Sequence, residues 1–190
     1  MHPAACDHVL EVVHNAFESG ATGVALDMVR RGSRLMVEVR DNGCGMEAAA
    51  ARKALDPFGS GGGKHPGRRA GLGLPFLKQA AELCGGAFGL DSEAGRGTTV
   101  RFTFDQAHVD APPLGDVPGT LTALMNAAGA CELSVRREED GRAYDVRRSD
   151  LAAALGGLDS AGALALMNRF FSSNETEIRN EVQDGETDIG

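Results

Sequence analysis

Apolar residues recur at helical spacing from the start of the chain. Cys6, Val9, Leu10, Val13 and Phe17 fall on one face and predict a helix from about Ala5 to Ser19, ended by Gly20. The period then changes to two. Val24, Leu26 and Met28 alternate in a strand over Thr22 to Val29, and a second strand runs from Leu35 to Arg40. The turn Arg31-Gly32-Ser33 between them predicts a hairpin. The next stretch is VEVRDNGCGM, Val37 to Met46, whose Asn-Gly pair is a strong hairpin-turn signal. Yet a helix, not a strand, follows to about Leu55, so the turn needs another explanation.

Asp56 to Gly71 is rich in glycine and basic residues and has no periodicity, so it reads as a loop. A helix is expected from about Leu74 to Cys84, with Pro75 in its first turn and Gly85-Gly86 as its stop. Strands follow over Ala87 to Ser92 and Thr98 to Phe104, joined by a turn containing Gly95 and Gly97. The order α-β-β-α-loop-α-β-β predicts one mixed sheet with helices on one face, an α+β two-layer sandwich over residues 1–107.

Residues 108–119, with APPLGDVPG at their centre, read as a linker. A small unit is expected over 120–172. Its elements are a helix from Thr120 to Ala128, a hairpin of Glu132 to Arg137 and Ala143 to Arg147 turning at Asp140-Gly141, and helices over Asp150 to Leu155 and Ser160 to Phe171. The polar, acidic tail 173–190 reads as disordered.

Composition narrows the function. The 190 residues suffice for one core plus a small appendage, and a hydrophobic fraction of 42% is ordinary for a soluble domain. The net charge of -8 lacks the basic footprint of a nucleic-acid binder. Cys6, Cys44, Cys84 and Cys131 are scattered without a C-x-x-C pair, which suits reduced thiols in a cytoplasmic protein better than zinc or disulfides. No apolar run approaches the roughly 20 residues of a membrane span, and the N-terminus lacks signal-peptide features.

Three motifs carry candidate chemistry. Glu11, Asn15 and Glu18 share the polar face of the first helix. An amide oxygen such as that of Asn15 suits Mg²⁺, and a carboxylate one turn earlier suits deprotonating a water. Asp41 ends a strand where it can accept hydrogen bonds from an exocyclic amine, while Gly43 and Gly45 let backbone approach a flat ligand. Gly71-Leu72-Gly73-Leu74 opens a helix whose backbone N–H groups suit phosphate, with Lys64, Arg68 and Arg69 adding charge. It is neither a Walker A loop nor a Rossmann fingerprint, which a strand would precede.

The order E-x-x-x-N, D-x-G-x-G, G-x-G-L and G-T-T strongly resembles the ATPase superfamily of gyrase, heat-shock chaperones, histidine kinases and mismatch-repair proteins, over about Val9 to Phe104. EVVHNAFESGAT and VEVRDNGCGM resemble the mismatch-repair and gyrase branch, and the stretch from Asp56 to Phe104, including Phe58, the histidine-kinase branch. The resemblance implies a Bergerat-type fold that binds ATP and Mg²⁺. It also implies roles. Asn15 would hold the metal, and Asp41 would accept from the adenine amine over a floor of Gly43 and Gly45. Thr98 would support the base through a water, Gly71 and Gly73 would hinge over the phosphates, and Glu11 would be the hydrolytic base. His8 and His14 read as exposed helix residues rather than phosphoacceptors.

HVDAPPLGDVPGTLTALM and the unit after it resemble small stand-alone ATP-binding proteins encoded beside iron-only hydrogenase subunits, which implies a redox protein partner. No cysteine arrangement here suits an iron–sulfur cluster. Three activities stay open: slow or partner-stimulated ATP hydrolysis, a serine or histidine protein kinase of the anti-sigma-factor type, and a non-catalytic nucleotide sensor.

Overall fold

A computed structural model describes residues 3–57 and 73–180. Twelve elements are present among them: α1 (Ala5–Glu18), β1 (Gly23–Arg31), β2 (Arg34–Asp41), α2 (Ala48–Ala54), α3 (Gly73–Leu83), β3 (Phe88–Glu93), β4 (Gly97–Asp105), α4 (Val117–Ala127), β5 (Glu132–Glu139), β6 (Arg142–Arg147), α5 (Arg148–Leu155) and α6 (Ala161–Asn180). The expected basic loop, including Phe58, Lys64, Arg68, Arg69, Gly71 and Leu72, lies outside the described residues.

The strands form one sheet in the order β3-β4-β2-β1-β5-β6. The expected β1–β2 hairpin is present, and β1 pairs in parallel only with β5. Period-two patterning gives the sheet two unlike faces. Val24, Leu26, Met28, Leu35, Val37, Val39, Val100, Phe102 and Phe104 are buried beneath the helices. The opposite face carries charge, with Arg40 paired to Asp27 and Glu38, and Arg101 paired to Glu38 and Asp91. This is the two-layer α+β sandwich that the pattern predicts.

The C-terminal region packs more intimately than an appendage. β5 pairs with β1 from Gly23–Glu132 to Arg30–Glu139, so it covers what would otherwise be an open sheet edge. One hydrophobic cluster runs from α1 through the sheet to α4 and α6. The 108–119 stretch also caps α1: the Ala5 and Cys6 N–H groups donate to the carbonyls of Pro113 and Leu114 at 2.8 and 3.0 Å. Gly115, at φ +89°, permits that approach, since a Cβ there would lie 2.9 Å from the Ala4 Cβ.

Two expectations are corrected here. Residues 173–180 are helical, not disordered: α6 continues to Asn180, with Met167, Phe171, Glu175 and Ile178 buried on one face. His8 is buried rather than exposed, because its ring faces the sheet, 6.0 Å from that of Phe104 on β4. Among the described residues its Nε2 is buried without a partner, and burial lowers its pKa. His14 is exposed, as expected. Cys6, Cys84 and Cys131 are buried and Cys44 is exposed; burial pushes the Cys6 thiol up to about 11.

Candidate functional site

The site begins where β2 runs out. Alternation buries Val37 and Val39 and leaves Asp41 half-buried at the strand end, registered against Val24 on one side and Thr98 on the other. The chain then turns on its own side chains. Asp41 Oδ1 accepts from the Gly43 N–H at 2.8 Å, and Asn42 Oδ1 accepts from the Thr22 and Gly23 N–H groups at 2.9 Å each. The Asn42 amide nitrogen donates to Thr22 Oγ1 at 2.9 Å. The Asn-Gly pair thus locks the loop onto the α1–β1 connection instead of starting a hairpin.

The rest of the loop is clamped from both sides. The Cys44 N–H donates to the Ser19 carbonyl at 3.0 Å, and the Cys44 carbonyl accepts from the Gly95 N–H at 2.7 Å. The Met46 N–H donates to Ser92 Oγ at 2.8 Å. Close approach explains the glycines. A Cβ on Gly43 would fall 1.7 Å from Ser19 Oγ, one on Gly45 2.0 Å from the Glu93 carbonyl oxygen, and one on Gly97 2.0 Å from the Asp41 carbonyl oxygen. Gly45 and Gly97 also have φ of +59° and +111°.

An open groove of about 550 Å³ lies along this corner, lined by Asp41, Thr98, Ser92, Leu90, Ala48 and Arg52 among others. Thr98 Oγ1 and Ser92 Oγ share a hydrogen bond at 2.8 Å. Asp41 Oδ2 has no hydrogen bond among the described residues, so a half-buried acceptor is left at the groove.

Helix α1 supplies a row at four-residue intervals: Glu11, Asn15 and then Ser19 at its C-cap. The two ends of the row meet different elements. Ser19 touches Asp41, with Oγ 3.3 Å from Oδ1. Glu11 lies at the start of α3, where a Cβ on Gly73 would be 1.8 Å from Glu11 Oε1. Asn15 sits between them, exposed, with no hydrogen bond to its side chain among the described residues. Glu18 is exposed outside this row, and Leu74 is half-buried in the first turn of α3. The row from Glu11 to Ser19 spans about 12 Å at the helical rise.

The structure therefore brings Asp41, Gly43, Gly45 and Thr98 to one corner, and Glu11, two turns before the end of α1, to Gly73. Sequence reasoning did not single out Ser19, Asn42, Ser92 or Gly97. Asn42 and Gly97 carried a signal in their turn chemistry, whereas Ser19 and Ser92 carried none. Among the described residues no cluster of three or more His, Cys, Asp or Glu side chains is arranged to hold a metal alone. The donor set does suit Mg²⁺ held by one protein oxygen and completed by phosphate and water, and the unpartnered Asn15 amide is such a donor.

Comparison with known proteins agrees with this geometry. Residues 5–108 match the family described as histidine kinase-, DNA gyrase B-, and HSP90-like ATPase, and the chain belongs to that family. Membership supports ATP binding. Among relatives, the alginate biosynthesis sensor protein KinB of Pseudomonas aeruginosa is 34% identical over 93 residues, 48% of this chain and 15% of that protein. The virulence sensor protein BvgS of Bordetella bronchiseptica is 34% identical over 88 residues, 43% of this chain and 7% of that protein. The sensor histidine kinase YxdK of Bacillus subtilis is 31% identical over 72 residues, 37% and 22% of the respective chains. The chain spans less than a quarter of the length of these curated relatives. Among the described residues, no helix is long and apolar enough to cross a membrane.

Proposed function

We propose that the chain binds Mg-ATP along the α1 row and hydrolyses it slowly or when a protein partner engages. The observation that carries this reading is Asp41, which lines the groove with no hydrogen bond to its Oδ2 among the described residues, in a loop whose glycines are required by contact. Oδ2 accepts the N6–H of adenine, which a guanine carbonyl cannot supply, and Thr98 supports the base through a water. Gly43 and Gly45 lie beneath the ring. Asn15 supplies a hard oxygen to Mg²⁺, which when bound neutralises phosphate charge. The N–H groups at the start of α3, at Gly73 and Leu74, face the phosphate end, with Gly71, Leu72, Lys64 and Arg68 preceding them in sequence. Glu11, beside Gly73, takes a proton from the attacking water.

A second reading is favoured by relatives such as the sensor histidine kinase YxdK: the terminal phosphate passes to a serine or histidine of a partner protein. The partner is proposed to be a subunit of a redox complex of the hydrogenase kind. Nucleotide labelled at its γ-phosphate, incubated with the protein alone and with a co-purified partner, separates the readings. Free phosphate that disappears in Glu11→Ala supports hydrolysis, and label on the partner supports the kinase. Partner binding that follows nucleotide but survives Glu11→Ala unchanged leaves only a sensor.

A further inference from the structure

Asp41 has two oxygens, and among the described residues only one is engaged. Both of its contacts fall on Oδ1, the Gly43 N–H at 2.8 Å and Ser19 Oγ at 3.3 Å. Two contacts to one oxygen fix the rotation of the carboxylate and leave the other oxygen directed elsewhere. Ser19 is well placed for this. It caps α1 at φ -71° and ψ -3°, its N–H donates to the Asn15 carbonyl at 3.0 Å, and its carbonyl accepts from Cys44. Its hydroxyl has one proton and two neighbouring acceptors, the Ala16 carbonyl at 2.7 Å and Asp41 Oδ1. The Ala16 carbonyl is the nearer acceptor, and a carboxylate oxygen is the stronger kind, so the hydroxyl is shared between the two. Gly43 keeps the space open, since any Cβ there would collide with Ser19 Oγ.

We infer that Ser19 is a positioning residue for base selection: it holds Asp41 Oδ1 so that Oδ2 meets the exocyclic amine of the purine. The inference rests on the adenine reading above and adds to it the residue that sets its selectivity. Ser19 acts through Asp41 and touches no ligand itself.

The test compares Mg-ATP with the magnesium salt of purine riboside triphosphate, which lacks the N6 amine, by calorimetry. In the wild type, ATP binds more tightly. In Ser19→Ala, ATP affinity falls roughly fivefold while affinity for the desamino nucleotide holds, so the preference shrinks. Ser19→Thr keeps the hydroxyl and the wild-type preference. Equal weakening of both nucleotides in Ser19→Ala, or an unchanged ratio, overturns the inference while Asp41→Asn still abolishes the preference. A wild type that does not distinguish the two nucleotides overturns the adenine reading itself, and the inference with it.

Discussion

Two acidic residues, one buried and one half-buried, have opposite surroundings. Glu175, on α6, is engaged on both oxygens. Tyr144 Oη donates to Oε1 at 2.9 Å, Arg179 donates to Oε2 at 2.9 Å, and the wholly buried Arg137 reaches Oε2 at 3.3 Å. The Arg137 Nε lies 3.1 Å from Oε1 at an angle that makes an ion pair but no hydrogen bond. Glu139 pairs with the same Arg137 and with Arg30. Burial and the neighbouring carboxylate push the Tyr144 phenol pKa up. Among the described residues, Asp41 at the other end of the sheet is met only by a backbone N–H and a serine, both on one oxygen. A carboxylate satisfied on every side holds structure, whereas one left half-satisfied beside a groove is available to a ligand.

The sharpest way to separate these roles is to remove each acid. Glu175→Ala leaves Arg137 buried with reduced compensation and is expected to cost about 3–5 kcal/mol by denaturant unfolding, with nucleotide affinity of the folded fraction unchanged. Gly45→Ala forces a side chain against the Glu93 carbonyl at a positive φ; about 1–3 kcal/mol of stability is lost together with nucleotide affinity, measured in parallel. Arg101→Ala on the charged face removes exposed pairs to Glu38 and Asp91, which solvent screens, and is expected to leave the denaturant midpoint close to that of the wild type in the same assay.

The smallest effect concerns His8. Its folded-state pKa lies below the ordinary value, so the unfolded chain binds the proton more readily. The stability tied to neutral His8 is full above the unfolded pKa and is lost as pH falls through that value toward the folded one. His8→Leu is expected to flatten the decline in unfolding free energy from about pH 7 to about pH 5. A slope identical to that of the wild type assigns the decline to other groups.

Much of this was legible in sequence where one local pattern determined one element. α1, the β1–β2 hairpin, α3 and the β3–β4 pair follow from periods of 3.6 and two. The D-x-G-x-G and E-x-x-x-N signals fixed Asp41 and Asn15 as candidates before any geometry. What was not legible depended on contacts distant in sequence. The parallel pairing of β5 with β1 leaves no mark within either strand. The last two turns of α6 read as tail because Glu175 stands at a position in its buried stripe where an apolar residue would be expected, and Arg137 on β5, with Tyr144 on β6 and Arg179, makes that acceptable. His8 read as exposed because nothing local announces that its ring meets Phe104, far along the chain on β4. Ser19 read as an ordinary helix end, although its hydroxyl meets an acid 22 positions later.

The most direct test is calorimetric titration of Mg-ATP into the wild type and Asp41→Asn, with thermal unfolding of both in the absence of nucleotide. Asp41→Asn is expected to weaken ATP binding at least tenfold, about 1.4 kcal/mol, while its melting temperature stays near that of the wild type. Undetectable Mg-ATP binding by the wild type, or equal affinity in the two proteins, would contradict the account.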